Sequence, residues 1–459
     1  MIVKNALAAL PGESDFRKTD LLIRDGKIVR ITEAAAFAAA EETLDASGLM
    51  LFPGAIDPHV HFDEPGFEWR EDFLHGTKEA ARGGVTTIID MPCTSLPPIT
   101  TIEALRNKLA IVEKKAVVDY AFYGGVSGHT ADASFAGAME ALAPYVVGFK
   151  CYFVSGMDSF TAVTKAQFAR AAAECARLKR PLLLHAEDPE LIAKAQAGLA
   201  AARGAAPPVW RDYYASRPME AEIEACREAV RLCGEHSSSL HVVHVGTAAA
   251  AEAVARSGAS CETGPHYLAF DEEDFETYGA ALKTAPPVKE ASQKALLWRL
   301  LAERTISFVA SDHAGAPERE KMTGNPLTAY GGIPGTGTFF PYLLSEGFFA
   351  RRLSLPRFLE ATSGAAARRY GLSGGKGSIE PGKDADFVLV DPEATTFLDS
   401  SRMESKSTIT PFAGMRLSGR IAGTYLRGAR VFGTPRLLLE SGTTASGPGA
   451  GRFLTWGYR

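Results

Sequence analysis

His59 and His61 follow Asp57-Pro58 and stand two residues apart. In an extended chain that spacing puts both imidazoles on one face. Two imidazoles converging at a strand end make half of a divalent-metal site. Three more short apolar runs end in metal-competent side chains: Leu182-Leu183-Leu184-His185, His241-Val242-Val243-His244 and Phe308-Val309-Ala310-Ser311-Asp312. A lone histidine at a strand end is ordinarily a hydrogen-bonded core residue. Four histidines and an aspartate ending strands in one register point instead to a shared site. Lys150 stands inside the apolar run Val147-Gly148-Phe149-Lys150-Cys151-Tyr152. A buried ammonium is costly and would repel a metal ion. A depressed pKa leaves a neutral amine, which can combine with carbon dioxide as a carbamate whose two oxygens suit a bridge between two ions. The plainer reading is a lysine paired with a nearby carboxylate.

Side chains so far apart in sequence need a scaffold that gathers strand ends. Apolar strands are predicted before His59 and at 85–90, 117–123, 146–153, 182–185, 240–245, 260–266 and 306–312. Helical stretches lie between many of them, at 102–113, 165–178, 219–235, 248–256 and 293–303. That alternation is the pattern of an α/β fold of the (β/α)8 TIM-barrel type, whose strand ends share one mouth. A doubly wound open sheet would be expected to carry a glycine fingerprint after its first strand, and none stands there. Gly331-Gly332-Ile333-Pro334-Gly335-Thr336-Gly337 follows no strand and is read as an active-site loop. Both chain ends are β-rich. Residues 21–31 are two apolar runs around Asp25-Gly26, a hairpin signal, and 421–432 repeat the pattern around Gly428. The expected organisation is a small discontinuous β-sandwich domain from 1–52 and 375–440, enclosing a barrel over 53–374. The Gly- and Ser-rich tail, 441–459, is expected either to be loosely ordered or to dock on a neighbouring subunit.

The set His59, His61, Lys150, His185, His244 and Asp312 resembles that of the dinuclear cyclic amidohydrolases: dihydroorotase, allantoinase and hydantoinase. The likeness extends to Glu64-Pro65-Gly66, residues 76–87, Asp90-Met91-Pro92, Ser216-Arg217-Pro218, Glu262-Thr263-Gly264-Pro265-His266-Tyr267, Lys283-Thr284-Ala285-Pro286-Pro287 and residues 381–386. It spans most of the chain. The resemblance implies one metal on His59 and His61, a second on His185 and His244, and a carboxylated Lys150 between them. It also implies that Asp312 ligates the first metal and carries the catalytic proton. Two divalent ions are expected, zinc first, with iron, cobalt and manganese as alternatives. A homodimer or homotetramer is implied as well. A mononuclear deaminase would not need Lys150, and a metal-free pseudo-enzyme would be marked by a missing ligand; all six positions are filled.

Within the family, dihydroorotases usually hold their substrate's carboxylate with an Arg after the histidine pair, an Asn after Met-Pro and a His after Asp-His. Here those positions are Asp63, Cys93 and Ala316. An anion facing Asp63 would be repelled, whereas a neutral ring rich in N–H donors suits it. Thr410-Pro411-Phe412-Ala413-Gly414, Ala329–Gly335 and Lys150-Cys151-Tyr152-Phe153 look more like allantoinases, while Glu68–Phe73 is similar to the dihydroorotase version. The expected reaction is metal-dependent hydrolysis of a cyclic amide bond, allantoin to allantoate in purine catabolism. The alternatives are dihydroorotase and hydantoinase or dihydropyrimidinase. Asp63, Cys93, Thr284, His313 and Gly332 are the candidate substrate contacts.

The net charge is -5 and no basic block occurs, which argues against nucleic acid and anionic membrane as partners. No apolar run reaches spanning length. The six cysteines form no CxxC pair and read as reduced thiols in a cytoplasmic protein. His75, His129 and His236 read as surface residues. His241, out of phase with His244, is expected to face the helices. His266 and His313 are expected near the mouth.

Overall fold

The computed structural model describes residues 1–33, 42–131, 134–433 and 446–459. Residues 434–440 of the expected β domain and 441–445 of the tail lie outside the described residues. The barrel strands are β1 (Ala55–Val60), β2 (Val85–Asp90), β3 (Asp119–Phe122, running on into Gly124–Gly125), β4 (Phe149–Tyr152), β5 (Leu182–His185), β6 (Leu240–Val242), β7 (Ser260–Thr263) and β8 (Phe308–Val309). All adjacent pairs from β1 to β8 are parallel. The ring closes through a parallel bridge between Val60 and His313, where His61 N–H donates to the His313 carbonyl at 2.8 Å. The strand residues are almost all buried, as expected of parallel strands covered on both sides.

Local chemistry sets the helix starts. Thr164 and Gln167 form a capping box on the helix Lys165–Leu178. Asp188 caps Pro189–Arg203 immediately after β5, with proline in the first turn. The helix therefore begins four residues beyond His185, which fixes the chain's exit from the mouth. Among the described residues, no helix is long and apolar enough to cross a membrane.

The two chain ends build one eight-stranded hydrogen-bonded sheet. Met50–Pro53 pairs with both Ile2–Ala8 and Phe387–Phe397, so the chain passes from that sheet into β1 across Gly54. The Asp25-Gly26 turn has φ of 51° and 75°, and Arg427-Gly428 has 49° and 78°. Positive φ at both central residues is the hairpin geometry that matches strand twist. A Cβ on Gly26 would meet Arg427 Cβ at 2.9 Å, so the two turns pack tip to tip. Where the terminal sheet meets the barrel, Lys376 Nζ lies 2.5, 2.8 and 2.6 Å from carboxylate oxygens of Asp119, Asp384 and Asp386.

The described part of the tail packs on the barrel. Tyr120 N–H donates to the Arg452 carbonyl at 3.0 Å and Leu454 N–H to the Tyr120 carbonyl at 2.8 Å. This seats 452–454 as a short parallel stave beside β3. Leu454 is wholly buried among Tyr123, Leu183 and Tyr370. Glycine and serine content alone gave no sign of that one apolar anchor.

Candidate metal centre and its cleft

The polar ends of β1, β5, β6 and β8 meet at one mouth. His59 Nε2 and His61 Nε2 lie 3.1 and 3.4 Å from Asp312 Oδ1, and the three residues form a group able to hold a metal ion. Across the mouth, His185 Nδ1 and His244 Nε2 are 2.9 Å apart. The His59 ring bridges the two groups, with its centroid 5.3 Å from that of His61 and 5.5 Å from that of His244. Burial holds His59, His185 and His244 below the ordinary histidine pKa, which leaves neutral rings with a lone pair to donate. Burial pushes the Asp312 carboxyl up, but its neighbours His59 and His61, with a hydrogen bond from His61, outweigh that and hold it below the usual carboxylate range.

Lys150 is fully buried on β4 with no hydrogen-bond partner for Nζ. The ammonium stands 4.7 Å from the centroid of the Tyr152 ring. Loss of solvation pulls its pKa from 10.5 down to about 8, against the opposing pull of Glu262 and Asp312. An orphaned amine whose proton burial has loosened fits a group awaiting an acidic modification and a cation, as does the unpartnered His244 Nδ1.

Backbone conformation aims two of these groups. His244 and Asp312 have φ of 41° and 51°, a region that costs a non-glycine residue about 1–2 kcal/mol and that clusters at functional sites. Each residue lies just past the end of its strand, where the left-handed turn swings the side chain back over the mouth. The same turn ends the strict alternation, so His241 and His244 both point inward. His241 is therefore not on the helix side as expected: it is completely buried and bonds Ser260 and Glu262.

A cleft of about 1050 Å³ opens over the centre. Cys93, Thr284 and Gly332 line it, but Asp63 and His313 do not. Both are wholly buried. His313 instead ties loops together, 3.2 Å from Glu71 Oε2 and accepting the Thr336 N–H at 3.3 Å. Asp63 has no partner on either oxygen, and burial raises its carboxyl well above the usual range. Buried and away from the cleft lining, it does not face a substrate there, so the repulsion expected from it has no support in the structure. The case against a carboxylate substrate passes to the cations of the cleft, each already engaged. Arg70 Nε donates to Glu320 at 2.6 Å, Arg217 pairs with Glu187, and Lys283 Nζ donates to the carbonyls of Pro326, Leu327 and Ala329.

The sequence reading assigned no role to Glu187, Tyr152 or Glu262. Glu187 Oε2 is 2.8 Å from His185 Nε2 and so turns Nδ1 to the mouth. Burial raises its carboxyl, but Arg217 and His185 hold it down at about 2. The Tyr152 ring stacks on His185 at 5.3 Å between centroids, and its hydroxyl is 3.0 Å from Cys93 Sγ. The available signals were an acid two residues after a candidate ligand and an acid inside a buried strand.

A parallel α/β barrel with a histidine- and aspartate-rich mouth defines the class. The chain belongs to the amidohydrolase family, matching it over residues 50–431. It is 38% identical over 460 residues to an allantoinase of Rubrobacter xylanophilus, covering 95% of this chain and 97% of that one. It is 35% identical to an allantoinase of Solibacter usitatus, covering 95% of each. Among solved structures it is similar to the L-hydantoinase (dihydropyrimidinase) of Arthrobacter aurescens, with TM-score 0.91, 31% identity and 99% of each chain covered. It also resembles the dihydropyrimidinase of Brevibacillus agri, with TM-score 0.88, 28% identity and 100% and 99% covered.

Proposed function

We propose that this protein is an allantoinase: a metal-dependent cyclic amidohydrolase that opens the hydantoin ring of allantoin to give allantoate. One observation carries the reading. Five metal-competent side chains meet at one mouth, with an unpartnered buried lysine in electrostatic reach of His59, His185 and His244, in a chain 38% identical to an allantoinase over nearly its whole length.

His59, His61 and Asp312 would hold one divalent ion and His185 and His244 the other. Lys150 would stand between them as a carbamate, formed when its neutral amine adds to carbon dioxide and releases a proton. Zinc suits this nitrogen-rich set. When bound, the two ions would lower the pKa of water and polarise the scissile carbonyl. Asp312, ionised at neutral pH, takes the proton released as water attacks and returns it to the ring nitrogen as the C–N bond breaks. Glu187 and Tyr152 hold His185 from its far edge and its face. Cys93, Thr284 and Gly332 would contact the ring. We place the enzyme in the cytoplasm, in keeping with six unpaired cysteines, acting in purine catabolism as a homodimer or homotetramer.

Hydantoinase or dihydropyrimidinase activity is the second reading, favoured by the similarity to L-hydantoinase. Purified enzyme should be assayed with allantoin, hydantoin, dihydrouracil and dihydroorotate. The expected result is the highest kcat/KM on allantoin. Turnover of dihydroorotate with none of allantoin would refute the proposal.

A further inference from the structure

Behind His59 runs a line of buried polar groups that the proposed chemistry does not touch. His59 Nδ1 is 2.6 Å from Glu262 Oε1. The other oxygen, Oε2, is 3.2 Å from His241 Nε2. His241 Nδ1 in turn is 2.7 Å from Ser260 Oγ. His59, Glu262 and His241 are each 1% exposed or less. The His241 ring stacks on Phe308 with centroids 5.1 Å apart and planes 11° from parallel, so its rotation is fixed. Ser260 and Glu262 lie two residues apart on β7, which puts both on the same face of that strand.

We infer that Glu262 is a positioning residue for the metal centre: it holds His59 with Nε2 toward Asp312, and His241 and Ser260 hold Glu262. This rests on the metal-dependent reading above. Imidazole has two neutral tautomers, and only the one protonated at Nδ1 offers a lone pair at Nε2. A cation on His59 Nε2 requires the proton on Nδ1, which one Glu262 oxygen is placed to accept; with Glu262 ionised, its other oxygen accepts the Nε2–H of His241. His241 Nδ1 then accepts the Ser260 hydroxyl proton. In that arrangement every buried donor in the line has one acceptor. Glu187 serves His185 in a corresponding way on the other side of the mouth. Each metal half-site therefore has its own buried carboxylate behind it.

The test separates orientation from mere packing. Glu262→Ala removes the acceptor for both rings. Glu262→Gln keeps one oxygen for His59, and its amide N–H can be accepted by His241 Nε2 if His241 takes the other tautomer and donates Nδ1–H to Ser260. The double variant Glu262→Gln with Ser260→Ala denies that escape. Metal content and the rate of metal loss to a chelator are measured on each purified holoenzyme without substrate; kcat and KM on allantoin follow. We expect Glu262→Ala to lose metal affinity by about 10- to 100-fold and to lower kcat with KM nearly unchanged. Glu262→Gln should recover most of both, and the double variant should fall back toward alanine. If Glu262→Ala does not fold, the contrast between the single glutamine variant and the double variant carries the test. Wild-type metal retention in Glu262→Ala, or no difference between glutamine alone and the double variant, overturns the positioning role. A wild-type protein that binds divalent ions but opens a ring other than allantoin's would sink the substrate reading and leave this inference standing. A wild-type protein that binds no divalent ion overturns both.

Discussion

Replacing Lys150 by methionine should separate what that residue costs the fold from what it gives the site. Its amine is buried without a partner, and burial takes its pKa from 10.5 to about 8. At pH 7 that difference corresponds to about 3 kcal/mol of destabilisation of the metal-free fold. The sign follows from proton counting. Between about pH 8 and 10.5 the unfolded chain binds more protons than the folded one, so metal-free wild type gains stability as pH rises through that window. Below it the penalty is fully present. Methionine keeps most of the volume and removes the charge. Metal-free Lys150→Met should therefore be more stable than metal-free wild type by about 3 kcal/mol at pH 7, narrowing to about 1 kcal/mol by pH 9.5. The same variant should lose bound metal and hydrolysis together. Urea denaturation of stripped protein at the two pH values, with elemental analysis and allantoin assays of the untreated enzyme, reads every part. A methionine variant that is less stable at pH 7, or that keeps its metal and its activity, would refute the account of Lys150 as a strained amine awaiting carbon dioxide.

Two further outcomes are expected. Asp312→Asn keeps the shape of the side chain but cannot carry a proton, so kcat should fall by about 10²-fold or more; a steady-state rate within a few-fold of wild type would count against Asp312 as the shuttle. Leu454→Ala leaves a cavity at a wholly buried position and should cost about 2–5 kcal/mol, seen as a lower melting temperature with unchanged KM, whereas an unaltered melting temperature would show that the tail does not anchor the barrel.

Much of the architecture was legible because parallel strands and their helices repeat a simple pattern. The runs at 85–90 and 182–185 and the helices 165–178, 219–235 and 248–256 were placed residue for residue. Their apolar spacing and capping signals are local, and local signals survive without tertiary context. Strand ends were less legible. The extended run expected to reach Val245 stops at Val242, and the one expected to reach His266 stops at Thr263 before a short helix. Loop backbone at the mouth answers to packing across the barrel, which no window of sequence contains.

The same division runs through the site. Residue type and spacing pointed to one mouth for His59, His61, His185, His244 and Asp312, because each ends a strand and parallel strands share a mouth, and the resemblance to the cyclic amidohydrolases added Lys150 to the set. Which nitrogen His59 and His185 turn inward is legible only in the folded chain, where Glu262 and Glu187 stand against the other nitrogen. So was the burial of Asp63 and His313 away from the cleft, and the inward turn of His241. The physical reason is that alternation specifies a side only while the chain stays extended, whereas orientation, hydrogen-bond partner and charge state depend on groups brought together from distant parts of the sequence.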